Sequence, residues 1–156
     1  MKKILITLGI VSVIAAGCQN RPSPPPEAEI KKGYLIYQNN CSMCHWETVS
    51  PEQIRDIRKM VKEGKKPPFK APPMSEVSAR VKKFYPSERE FVNFVKDYIT
   101  NPSKDKGVCL PMAYKIFGVM PPIGKNMSED SKEAVAKWLY YRFKMSWEEF
   151  MEKHPH

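Results

Sequence analysis

Five consecutive residues, Cys41-Ser42-Met43-Cys44-His45, could do more chemistry than any other stretch of this chain. Two thiols separated by two residues in a helical turn present both sulfurs to one edge of a macrocycle. Haem has two vinyl groups, and each can accept one thiol as a thioether. The next residue, His45, then places its imidazole under the iron. The spacing C-x-x-C-H therefore reads as attachment of one haem c through Cys41 and Cys44, with His45 as an axial ligand. The redox chemistry would be the cofactor's. No catalytic residue is expected, and the pattern points to electron transfer rather than to an enzyme.

Three other chemistries use cysteines at this spacing. A thioredoxin-like redox pair follows a strand in a βαβ unit, and the chain has no alternating strand pattern of useful length. A structural zinc site needs four ligands, and no second C-x-x-C is present. A disulfide between Cys41 and Cys44 would leave His45 without a role. Cys109 is left over from these pairings. It reads as a buried thiol among Val108, Leu110 and Pro111, with an alternative haem ligand or redox-active thiol as the other possibility. His154 and His156, near the C-terminus, read as solvated. No pair of carboxylates, Ser/His/Asp set or phosphate-binding loop stands out.

An electron-transfer iron takes a second axial ligand. A methionine thioether, soft and weak, favours ferrous iron and raises the potential. Among the 9 methionines, Met120 is set apart by its surroundings, Gly118-Val119-Met120-Pro121-Pro122-Ile123. The two prolines would stiffen the loop and reduce the entropy lost in holding a weak ligand on iron. Met112, after Leu110-Pro111, and Met74, after Ala71-Pro72-Pro73, are the other candidates, as is a five-coordinate iron.

Thioether attachment is made outside the bacterial cytoplasm, and the N-terminus supplies that context. Met1-Lys2-Lys3 is a positive n-region. Ile4 to Ala16 is an apolar segment too short to span a bilayer comfortably. It ends at Ala15-Ala16-Gly17-Cys18, which resembles a bacterial lipoprotein signal, although Ala15 stands where that signal prefers Leu. By this resemblance residues 1–17 are removed, Cys18 is lipidated, and residues 18–29, with Pro22, Pro24, Pro25 and Pro26, form a stiff tether. Residues 30–156 then form the domain. The chain would lie on the periplasmic face of a bacterial membrane or on the outer cell surface.

Losing Lys2 and Lys3 takes the formal charge from +9 to about +7. An acidic redox partner or an anionic membrane surface suits that charge. Nucleic acid does not suit an exported protein.

The elements that must position these residues are helical. Ile30, Tyr34, Tyr37 and Cys41 follow helical spacing, so one helix runs into the Cys motif. Ser50-Pro51-Glu52 opens a second, with Ile54, Ile57, Met60 and Val61 on one face, and Gly64 stops it. Val77, Val81 and Phe84 predict a short third helix ending before Pro86. Ser87 and Glu90 form a capping box ahead of Phe91, Phe94, Val95, Tyr98 and Ile99. A helix from Ser128 carries Ala134, Val135, Trp138 and Leu139. Ser146 and Glu149 cap a last turn. The class is all-α.

On these residues the chain resembles class I mono-haem cytochrome c. The stretch from Gly33 through Tyr37 to His45 is similar to that family's first helix and haem motif. In the family a glycine and an aromatic on the first helix pack on an aromatic of the last. Gly33, Tyr37 and Trp138 match those positions. The ligand methionine sits in a Met-Pro loop before an acidic cap and a terminal helix, which Met120, Pro121 and Ser128-Glu129-Asp130 match. The resemblance also implies that Pro72 or Pro73 lies against the proximal side, where a nearby carbonyl accepts the His45 ring N–H. It implies a small helical domain wrapped around one covalent haem. Residues 46–70 depart from the pattern as an extra helical insertion. Phe84, Phe91, Phe94, Tyr98, Tyr114 and Phe117 are expected to line the pocket and core.

The function expected is a carrier of single electrons between redox partners. A haem subunit of a multi-subunit oxidoreductase is the alternative, and a haem-based small-ligand sensor a third reading.

Overall fold

Serine and proline decide where most helices of this chain begin. The computed structural model describes residues 24–154. Its helices are α1 (Glu27–Asn40), α2 (Pro51–Lys62), α3 (Met74–Phe84), α4 (Glu88–Thr100), α5 (Pro111–Phe117), α6 (Glu129–Arg142) and α7 (Trp147–Lys153), with a 3-10 turn at Ile123–Asn126. The class is all-α, as the sequence predicts. The hydroxyls of Ser50, Ser87 and Ser146 accept the N–H three residues on, from Gln53, Glu90 and Glu149, whose side chains bond back to the cap. Ser128 caps α6, and Glu129 and Asp130 in its first turn face the positive end of the helix dipole.

Two elements differ from the sequence pattern. Helix α1 begins at Glu27, so the last three residues of the expected tether are its first turn. Helix α5 has no counterpart in the sequence reading. The signals for it are there: Pro111 at its first position and Gly118 just past its end, at φ 74 and ψ −163, where a side chain would be strained. The leader and Cys18 lie outside the described residues.

The main core forms where α1 crosses α6 and α4 packs beside α6. Gly33 makes the crossing close: a Cβ there would fall 2.1 Å from the Ala134 carbonyl oxygen and 2.5 Å from the Trp138 Cβ. The Tyr37 ring stacks on Trp138 at 4.6 Å between centroids, and Tyr34 lies against both rings. Trp138 and Phe91 are fully buried. These side chains serve as scaffold, as the resemblance implies.

A smaller core joins α3 to α7 through Ala79, Trp147 and Phe150. The Arg80 guanidinium lies between the Phe84 and Trp147 rings, 4.9 and 4.7 Å from their centroids. This overturns two expectations. Phe84 belongs to no pocket: at the last position of α3 it is 49% exposed. His154 is buried, its ring 4.3 Å from Phe150 and its carbonyl accepting from Arg58 at 3.0 Å. Docking of α7 removes the end of that helix from water. The expected insertion is α2, an amphipathic helix with no fully buried residue.

Candidate functional site

The C-terminus of α1 delivers the Cys motif as one turn. The Cys41 N–H bonds to the Tyr37 carbonyl at 2.8 Å, and the N–H groups of Cys44 and His45 both return to the Cys41 carbonyl, at 3.0 and 2.9 Å. Both sulfurs and the imidazole therefore leave the backbone within one turn. Cys41, Cys44 and Cys109 are free thiols. Burial pushes the Cys41 thiol up to about 11, and the neighbouring Cys44 adds to this.

A second segment is stitched to that turn. Lys70 N–H donates to the Cys44 carbonyl (3.1 Å), Met74 N–H to Trp46 (2.8 Å) and Ser75 N–H to Glu47 (3.0 Å). His45 and Ala71 form a parallel bridge within this seam. The result is a contact of 2.6 Å between His45 Nδ1 and the Pro72 carbonyl oxygen. An N–H at Nδ1 donating to that carbonyl leaves Nε2 as the nitrogen able to bind a metal, and it fixes the ring's orientation. Burial lowers the His45 pKa and favours the neutral ring, while the Pro72 bond acts the other way. The Tyr37 hydroxyl donates to the His45 carbonyl at 2.9 Å, tying the motif to the Trp138 stack.

Cys41, Cys44, His45 and Met120 line one cavity of about 1330 Å³, part of it open to solvent. That volume includes open solvent, so it is the lining, and not the size, that suits a flat apolar macrocycle. Much of the wall is apolar, from Val81 on α3, Val95 and Ile99 on α4, and Val135 and Leu139 on α6. Phe94, Tyr98, Tyr114 and Phe117 line it as expected, whereas Phe91 lies in the main core.

Met112 is 56% exposed and stands outside the cavity wall, so it is not the core residue expected of it. Met74 and Met120 both line the cavity. The seam holds Met74 on the His45 side, through its N–H on the Trp46 carbonyl. Met120 reaches the cavity from the loop after α5. Met127, which sequence reasoning passed over, also lines the cavity. Cys109 is half-buried in the same wall, placing the leftover thiol beside the site.

The donor set fits a covalently held haem. Two free thiols and a pre-oriented imidazole share one turn at the edge of an apolar cavity. Among the described residues no group of three or more His, Cys, Asp or Glu is gathered as a zinc site would need. No described helix is long and apolar enough to cross a membrane.

Comparison with known proteins agrees with this geometry. The family model described as cytochrome c oxidase, cbb3-type, subunit III, matches residues 28–139, from the start of α1 to near the end of α6. An uncharacterized protein of Aquifex aeolicus (strain VF5) is 56% identical over 153 residues, which cover 98% of this chain and 95% of that protein. No solved structure gives a significant match. The chain thus belongs to the family of cytochrome c oxidase, cbb3-type, subunit III, and its helices form a cytochrome c domain, the kind that serves haem-based electron transfer.

Proposed function

We propose that this chain holds one haem through thioethers to Cys41 and Cys44, with His45 and Met120 on the iron, and passes single electrons outside the cytoplasm. The observation that carries this is the His45–Pro72 contact at the edge of a cavity that both cysteines and Met120 also line. When bound, haem supplies the one-electron couple. The polypeptide does the rest. Pro72 orients the His45 ring and makes it a stronger donor. The apolar wall keeps water away and so tunes the potential. Pro121 and Pro122 hold the Met120 loop to few conformations.

Lys70 and Val119 are exposed and also belong to the cavity wall, so they mark where the wall reaches the surface. A partner docking there would meet an apolar side chain beside a lysine, on a chain of net positive charge. An acidic redox partner, met briefly and in a salt-sensitive way, suits that surface. Export by the N-terminal signal and anchoring through lipid on Cys18 complete the proposal, with residues 18–26 as the connection to the domain. The family match favours one refinement: the domain serves as the cytochrome c subunit of an oxidase complex rather than as a free carrier.

The deciding experiment is an absorption spectrum, with alkaline pyridine treatment, of protein from a host able to attach haem. The spectrum of a haem with both vinyl groups saturated is expected, and haem that extracts into acid-acetone would reject the proposal.

A further inference from the structure

The ion pairs of this domain are unevenly spread. Along the seam of α1 with α6 the charges answer one another: Lys32 pairs with Asp130, Lys96 with Glu129 and Glu133, and Lys137 with Glu29 and Glu133. Residues 51–66, which hold α2 and the turn after it, carry six cations and three carboxylates. Glu52 is taken up by Arg55 at 3.5 Å, and Glu63 by Lys65 at 2.8 Å. That leaves Lys59, Lys62 and Lys66 exposed and without an ion pair among the described residues, against Asp56 alone.

These lysines share one side of the segment. Arg55, Lys59 and Lys62 recur at intervals of four and three, which is one face of a helix. Gly64, at φ 76, lies just past the helix end, and Lys65 and Lys66 follow it. Ile54, Ile57 and Val61 lie on the other face and are half-buried. Arg58, beside them, donates to the His154 carbonyl at 3.0 Å. The apolar face is therefore turned to the body of the domain and the lysine face to water.

What such a face suits is decided by what it lacks. Between Trp46 and Phe84 no large apolar side chain is exposed. A protein interface centres on aromatic and apolar side chains and is poor in lysine. A spread of lysines without an apolar centre suits a diffuse negative surface, such as a bilayer of anionic headgroups, near which each lysine gains about fivefold in affinity. The chain is also held close to such a surface. Residues 18–26, between the proposed lipid on Cys18 and the start of α1, reach no more than about 30 Å when fully extended.

We infer that the face of α2 bearing Lys59, Lys62 and Lys66 is a second membrane contact, held against anionic headgroups of the bilayer that anchors Cys18. This rests on the anchoring reading given above. The anchor makes the contact intramolecular and so raises its occupancy. One side of the domain is thereby turned to the lipid, which limits the directions from which a redox partner reaches the cavity.

The test reads each lysine separately. Haem-loaded full-length protein is anchored in vesicles of phosphatidylcholine, alone or mixed with phosphatidylglycerol, and treated with a water-soluble amine-acetylating reagent. Mass spectrometry then reports the labelling of each lysine and the lipid on Cys18. Lys59, Lys62 and Lys66 are expected to label several-fold more slowly on the anionic vesicles, with the difference lost at high salt. Lys104 and Lys125, exposed on other loops, should label equally on both. In the Lys59→Gln, Lys62→Gln double variant, Lys66 should also label equally on both. Equal labelling of all three lysines in the unaltered protein overturns the inference, as does protection of Lys104 or Lys125 in their place. Protection on neutral vesicles that grows with protein density overturns it too and assigns the face to a second copy of the chain. Should Cys18 carry no lipid, the anchoring reading fails, and the comparison is repeated at low salt with protein added to the vesicles. The same labelling difference then supports the contact, and its absence overturns it.

Discussion

The His45 imidazole and the Pro72 carbonyl meet at 2.6 Å across the seam that joins residues 44–47 to residues 70–75. A ring N–H held by a carbonyl makes the other nitrogen a stronger donor to a metal and favours the ferric state. Pro72→Gly, which frees the backbone on the carbonyl side, should raise the midpoint potential in a redox titration while covalent haem is retained. A potential unchanged by the substitution would mean that the contact does not tune the iron.

Met120→Ala should abolish the weak sulfur-to-iron band of the ferric protein and lower the midpoint potential. Met74→Leu and Met112→Leu should leave the band in place, since the first is held on the His45 side and the second is 56% exposed. Loss of the band in Met74→Leu alone would move the ligand assignment to Met74.

What could be read from the sequence, and what could not, divides along physical lines. The serine caps of α2, α4 and α7 are local signals, complete within four residues, and the structure has each of them. The Gly33, Tyr37 and Trp138 contact was legible through resemblance, because a family keeps its crossing point. The choice between Pro72 and Pro73 was not legible. It depends on how the chain returns after the α2 insertion, which no local pattern encodes. Phe84 and His154 were misplaced because an isolated capping box does not say where its helix docks: α7 against α3 buries His154 and leaves Phe84 half-exposed beside Arg80, away from the cavity.

Gly33→Ala should destabilise the holo-protein by about 1–3 kcal/mol, the usual cost of overpacking. The added methyl meets the Ala134 carbonyl at 2.1 Å, and backbone cannot step aside as a side-chain tip can. Thermal unfolding followed at the haem absorption would show it. A melting temperature equal to that of the unaltered protein would mean that α1 and α6 do not pack this closely.

Lys82 gives stability a particular pH dependence. Burial, followed by the nearby charge of Lys144, lowers its pKa to about 8. In the unfolded chain it returns to roughly 10.4. Between those values the unfolded state binds more protons, so stability rises with pH. Below pH 8 both states are protonated and the penalty is constant. Tyr37 and Tyr141, both raised to about 12, act in the opposite sense only above the ordinary tyrosine range. Denaturant midpoints from pH 7 to 10 should rise for the unaltered protein and rise less for Lys82→Met. Parallel curves would contradict this account.

Lys70→Glu should slow reduction by an acidic redox partner several-fold at low ionic strength and weaken the salt dependence of the rate. Stopped-flow measurements at two salt concentrations would decide. Equal rates at both would remove Lys70 from the docking surface.

The burial of Cys41 at the end of α1, in the core cluster that α6 shares, also bears on the order of events. Those two helices come from opposite ends of the domain, and their meeting waits on most of the chain between them. Once they have met, Cys41 is reached only from the cavity it lines, so machinery that forms thioether bonds would find it more readily on a chain still open. Maturation and folding are then in competition, and a variant that folds too readily without its cofactor would emerge as a well-formed but colourless protein.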